Sequence, residues 1–240
     1  MPKQVQNAAV DDYLTAIYRM SHDEGQDVIA VRIADRLGVT PPSVAGMLKR
    51  LIRDGLVYQD AKKRIHLTSE GLRRAERMIR RHRLAECLLT QVLGVEWWRA
   101  YEEAHLLEHG ISDVTEPALY EALNRPTRSP FGYPIPGAGE DADLSRTTLA
   151  DLKEGESATI ERVFEEDEEL LKFFYEEGIL PGETITLASI APYRGTVTAR
   201  VNGRDIVMGT EVAKKIWVRD GGQAEPRAQP QGTPKAARRR

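Results

Sequence analysis

Residues 40–55 read TPPSVAGMLKRLIRDG, and this stretch decides what the first part of the chain is. Val44, Leu48, Leu51 and Ile52 recur at helical spacing and predict an inward stripe. Thr40 is a capping residue, and Pro41 brings the backbone angle of a first helical position, so a helix starts here. Gly55 closes it. Just upstream, Gly38 ends a helix predicted over residues 28–37, VIAVRIADRL, because glycine adopts a left-handed backbone without steric cost. A first helix over residues 5–20 puts Val10, Leu14, Ile17 and Tyr18 on one side, and the polar loop SHDEGQD follows it. Beyond Gly55, LVYQD, AKKR and IHLT read as two short strands around a basic tip at residues 60–64. Three helices with a tight corner, then a hairpin, make a winged helix-turn-helix.

Once its core positions are removed, the third helix shows Ser43, Gly46, Met47, Lys49 and Arg50, side chains suited to a major groove. Lys62, Lys63 and Arg64 at the hairpin tip can reach phosphate, or form an ordinary solvated turn. Charge is distributed unevenly. Residues 1–81 carry 15 Lys/Arg against 10 Asp/Glu, residues 82–219 carry 14 against 25, and the last 21 residues are net +3. A basic first segment on an acidic middle argues for two surfaces with different partners, double-stranded DNA being one that the charge permits.

A long helix, capped by Thr68 or Ser69, is predicted to run to Leu93, with Gly94 breaking it. Helices over residues 97–109 and 117–123 complete a small bundle. In YEEAHLLEH, residues 101–109, His105, Glu108 and His109 share one helical face, and RRHRLAE sets His82 and Glu86 four residues apart on the preceding helix. A divalent metal between the two helices is one reading. A salt-bridged helix surface is the other, since no CxxC or HExxH pattern narrows the choice. Trp97, Trp98, Leu106, Leu107, Leu119 and Leu123 exceed what so short a bundle can bury on itself, which predicts a homodimer. The one cysteine, Cys87, lies in the apolar run LAECLL and reads as a core residue. The chain has no apolar run long enough to span a membrane and no signal-peptide core, so no membrane partner and a cytoplasmic location are expected.

Residues 124–143, NRPTRSPFGYPIPGAGEDAD, have no helical period and read as a proline-rich linker. Residues 146–219 then read as four or five short strands with one helix at 167–177, a small barrel. The final stretch, GGQAEPRAQPQGTPKAARRR, has the composition of a disordered tail. The expected fold is mainly α with a small β domain. Its divisions are a DNA-binding domain at 1–75, a helical metal-binding and dimerisation domain at 76–125, a linker at 126–145, a barrel at 146–219 and a tail at 220–240.

Several of these stretches together resemble one family, the metal-dependent transcriptional repressors that include the diphtheria toxin repressor, the iron-dependent regulators and the manganese transport regulator. DYLTAIY, SVAGMLKRLIRDGLV, LTSEG, RRHRLAECLL, EAHLLEHGISD and TRSPFGYPIPG carry the resemblance, in family order, over roughly residues 7–219. It implies that the barrel is SH3-like. It also implies metal ligands at Asp12, at His82 and Glu86, and at His105, Glu108 and His109, with a further one near Asp167. Two positions depart from the iron-type pattern. Leu170 stands where a second C-terminal ligand is expected, and Tyr101 where a histidine would precede the trio.

Asp12 is a hard oxygen donor suited to Mn²⁺ or Fe²⁺, whereas His105 stands where the family has Cys or Glu and makes the site nitrogen-rich. The expected function is a manganese-responsive repressor of metal-uptake and homeostasis genes, with Mn²⁺ as cofactor and a palindromic operator. An iron-dependent repressor using Fe²⁺ is the alternative, and a helical metalloenzyme is the reading from another class. Thr40, Pro42 and Ser43 open the reading helix as candidates for base contact, with Met47 beside them. Lys49, Arg50, Lys63 and Arg64 are the candidates for phosphate.

Overall fold

The computed structural model describes residues 3–139 and 143–220, with side chains from residue 8 onward; most of the predicted tail lies outside the described residues. α1 (Lys3–Tyr18) is extended by a wider π turn, Arg19–Asp23. α2 (Ala30–Leu37) ends at Gly38, whose φ of 61° is left-handed. α3 (Pro41–Arg53) starts at Thr40, whose hydroxyl accepts from the Ser43 amide at 3.4 Å. Val44, Leu48 and Leu51 are buried as their spacing requires, whereas Ile52 is 46 % exposed and is not a core residue. β1 (Val57–Gln59) and β2 (Ile65–Leu67) pair antiparallel as the wing. Asp60 organises its tip, accepting from the Lys62 and Arg64 amides at 2.8 and 2.9 Å and from Arg64 Nε at 2.7 Å.

α4 (Ser69–Cys87) is the spine of the molecule. Thr68 caps it, accepting from the Gly71 amide at 3.1 Å while donating to the Gly55 carbonyl at 2.7 Å, so helix and wing are tied at one residue. Ala75 and Ile79 belong to the core of the DNA-reading unit. Ala85 belongs to a second, larger core, and Leu84 and Cys87 to a third with Leu123 and Ile135. The helix stops at Cys87 and a π turn, Leu88–Val92, carries the chain to Gly94. α5 (Ala100–Glu108) and α6 (Thr115–Ala122) follow.

The C-terminal unit differs from the SH3-like barrel expected. β3 (Ser157–Val163), β4 (Thr184–Ala191), β5 (Thr196–Val201), β6 (Arg204–Gly209) and β7 (Ile216–Arg219) form one open antiparallel sheet in the order β6-β5-β4-β3-β7. A barrel closes only when its first and last strands pair. Here β6 and β7 lie at opposite edges, and the short helix α8 (Thr210–Ala213) carries the chain between them. α7 (Glu168–Glu177) buries Leu171 and Phe174 in the same core as the strands, so a helix covers what a closing seam would otherwise enclose.

That core is shared between units. Leu89, Ala100 and Ala104 of the helical unit and Phe131 and Tyr133 of the proline-rich segment pack in it with the strands. Trp97 and Trp98 join it rather than forming an exposed face. The Trp97 ring lies 4.7 Å from Phe131 and the Trp98 ring 5.1 Å from Tyr175. The apolar side chains left exposed around α5 are Val92, Leu93, Leu106, Leu107 and Val114. No described helix is long and apolar enough to cross a membrane.

Candidate metal centre

α1, α4 and α5 bring their polar side chains to one place. α4 packs on both of the others, so residues spaced along it face α1 on one side and α5 on the other. Ligand atoms of Asp12, His105 and His109 lie within 4.8 Å of one another, and so do those of His82, His105 and Glu108. The two groups share His105. Glu108 links them: its Oε2 lies 2.6 Å from His82 Nδ1, and its Oε1 lies 3.2 Å from His105 Nδ1 and 3.6 Å from His109 Nε2. Behind His82 lies Glu86, with Oε1 at 2.9 Å from His82 Nε2.

The electrostatics are those of a cluster that wants a cation. Glu86 is fully buried, and neither of its oxygens nor His82 Nε2 makes a hydrogen bond of acceptable geometry. A buried carboxylate left in that state is costly unless positive charge sits beside it. Burial raises the Asp12 carboxyl above its ordinary value, only partly offset by His105 and His109. Burial also opposes ionisation of Glu108, but hydrogen bonds with His105 and His82 outweigh it and hold that carboxyl at about 2. Burial works against the His82 imidazolium, yet Glu86 and Glu108 raise its pKa, and the hydrogen bond with Glu108 raises that of His105. Carboxylate oxygen and imidazole nitrogen in this proportion suit a divalent first-row metal, so the residues fit such an ion.

Asp167 stands apart. It caps α7, its side chain accepting from the Leu170 amide at 3.0 Å, and Lys215 Nζ lies 3.9 Å away. Tyr101 is edge-on to His82 at 4.9 Å between ring centroids, and the buried Arg19 guanidinium lies 5.2 Å from its ring. Sequence reasoning missed Arg19. Its only signal was a charged residue seven positions after Asp12, on the same face of the first helix.

At the DNA-reading end, Thr40, Pro42, Ser43 and Lys49 are exposed on α3, with Met47 and Arg50 half-buried. Arg50 Nε lies 3.6 Å from Asp54. Lys63 is exposed at the wing tip, whereas Arg64 is held by Asp60 and by Asp27 at 3.3 Å.

Three family models match successive parts of the chain. Residues 7–65 match the N-terminal DNA binding domain of the iron dependent repressors, and residues 68–137 match their metal binding and dimerisation domain. Residues 147–220 match the FeoA domain, in keeping with the open sheet. The iron-dependent repressor IdeR of Mycobacterium leprae (strain TN) is 35 % identical over 219 residues, covering 86 % of this chain and 94 % of that one. The diphtheria toxin repressor of Corynebacterium efficiens is 35 % identical over 217 residues, covering 86 % and 93 %. A solved manganese-dependent transcriptional repressor in complex with manganese superposes with a TM-score of 0.80 at 29 % identity, covering 88 % of this chain and 99 % of that one. The IdeR of T. acidophilum superposes with a TM-score of 0.74 at 29 % identity, covering 88 % and 97 %.

Proposed function

This chain belongs to the family of metal-dependent repressors that includes the diphtheria toxin repressor and IdeR, and from that premise we propose that it is manganese-responsive and binds a palindromic operator of metal-uptake genes as a homodimer. At the level of the family it is a metal-dependent, DNA-binding transcriptional repressor and not an enzyme.

One observation carries the metal-sensing reading: Asp12, from the DNA-reading unit, meets His105 of α5 and His109 at its end within ligand reach. Asp12, His105, Glu108 and His109 would hold the ion, with His82 behind them. The bound ion would supply the positive charge that lets a desolvated carboxylate on α1 stay against α5. Val10, Leu14 and Ile17 of α1 share a core with Val44, Leu48 and Leu51 of α3, so holding α1 holds the reading helix. Metal and operator then each tighten the other by the same factor. Thr40, Pro42, Ser43 and Met47 would meet base edges, and Lys49, Arg50, Lys63 and Arg64 phosphates. The exposed Val92, Leu93, Leu106, Leu107 and Val114 would supply apolar surface to the dimer contact.

Manganese is supported by the hard carboxylates of Asp12 and Glu108 and by the likeness to the manganese-bound repressor. Iron is the second reading, favoured by the 35 % identity to the iron-dependent repressor of Mycobacterium leprae. Operator affinity at saturating Mn²⁺, Fe²⁺ (anaerobic) and Zn²⁺ separates them. We expect Mn²⁺ and Fe²⁺ to activate and Zn²⁺ to lag behind its own binding, since a four-coordinate ion leaves part of the cluster unused. Activation by Fe²⁺ without activation by Mn²⁺ would overturn the manganese assignment.

A further inference from the structure

Arg19 lies seven residues beyond Asp12, so both side chains leave the same side of the first helix about two turns apart. It is 6 % exposed. Nη1 forms an ion pair with Glu165, Nε lies 3.8 Å from Glu166 Oε1, and the guanidinium sits over the Tyr101 ring. Glu166 is shared with Arg36 at the end of α2, which also pairs with Glu24 at 2.7 Å. The two glutamates follow β3 in the C-terminal unit, and the two arginines belong to the DNA-reading unit. A buried ionic cluster therefore joins the units directly.

This is the region where the resemblance implies further ligands, near Asp167 and at the positions of Leu170 and Tyr101, and the donor set there does not fit a second metal ion. Tyr101 offers a neutral phenol instead of an imidazole, Leu170 offers nothing, and Asp167 gives one oxygen to its helix cap and holds the other 3.9 Å from Lys215 Nζ. Of the carboxylates that remain, Glu86 lies against His82 at 2.9 Å, and Glu165 and Glu166 each give one oxygen to guanidinium. An arginine carries its charge at every physiological pH and cannot leave as an ion can. We infer that Arg19 is the resident cation of this position, so that the chain takes one activating divalent ion per subunit and docks its C-terminal unit on the DNA-reading unit without metal.

This inference rests on the metal reading above, and counting bound ions separates the two. Full-length protein titrated with Mn²⁺, with free ion counted from its paramagnetic resonance signal, should bind one ion per subunit. Two would overturn this inference alone, whereas none would remove the metal reading and this inference with it. Replacing both Glu165 and Glu166 by glutamine should leave the count at one; a fall from two to one would show that they ligate metal. In chelator, Arg19→Met should raise amide exchange at least tenfold at residues 163–168 and in the turn Arg19–Asp23, and Arg19→Lys should restore part of the protection. Unchanged exchange in Arg19→Met would refute the docking role. Should Arg19→Met fail to fold, the double glutamine variant tests the same contact from the other side.

Discussion

Replacing Asp12 by alanine should separate metal binding from metal sensing. Asp12 is the one member of the two ligand groups that comes from residues 7–65; His82, His105, Glu108 and His109 all lie on or at the end of α4 and α5. At about 4 Å and an effective dielectric near 20, a carboxylate and a divalent ion attract by roughly 8 kcal/mol before desolvation. Most of that is cancelled, because burial already raises the Asp12 carboxyl and so penalises its charge. A net coupling of about 1–3 kcal/mol remains, which is about 5–150-fold in operator affinity. The variant should fold. Val10, Tyr13, Leu14 and Ile17 still bury α1, and Asp11 still pairs with Arg74 at 2.6 Å. Fluorescence anisotropy of a labelled operator, with Mn²⁺ and with chelator, reads the coupling, and calorimetry reads Mn²⁺ binding. The ratio of the two operator affinities should fall to less than about twofold while Mn²⁺ still binds. A variant that keeps wild-type metal dependence would refute the role of Asp12.

Three further outcomes follow from particular contacts. Footprinting should show two half-sites about 34–36 Å apart, or a near multiple, covered by a dimer; a monomer on a single half-site would contradict the architecture. Gly71→Ala should destabilise by about 1–3 kcal/mol or more in thermal melts, because a Cβ there would stand 1.9 Å from the Leu56 carbonyl oxygen, a backbone atom of the wing. Mn²⁺ affinity should fall as pH is lowered from about 8 to about 6, because His82 and His105 hold protons above the ordinary imidazole range and must release them to ligate. In chelator the stability term has the opposite sense. It is fully present below the ordinary value of 6.5 and is lost as pH rises through the raised folded values, so melting temperature and Mn²⁺ affinity should move in opposite directions.

What the sequence by itself determined is local. Gly38, Thr40 with Pro41, and Thr68 set helix ends through backbone angle and capping, and the structure has those ends where the residues stand. The spacing of His82 to Glu86, and of His105 to His109, places each pair on one helical face because both are intrahelical distances. Asp12 could be named only through a resemblance, since its meeting with α5 depends on how α1 packs against α4, and no spacing encodes that. The tertiary structure alone decided that the sheet stays open. Alternation of side chains gives strand faces and says nothing about which edges pair. It also decided that the tryptophans and the proline-rich segment fill a core shared with the C-terminal unit, and that Arg19 lies buried between two units. Burying a charge is a property of the partners that surround it, and Glu165 and Glu166 arrive from a strand end almost a hundred and fifty residues away.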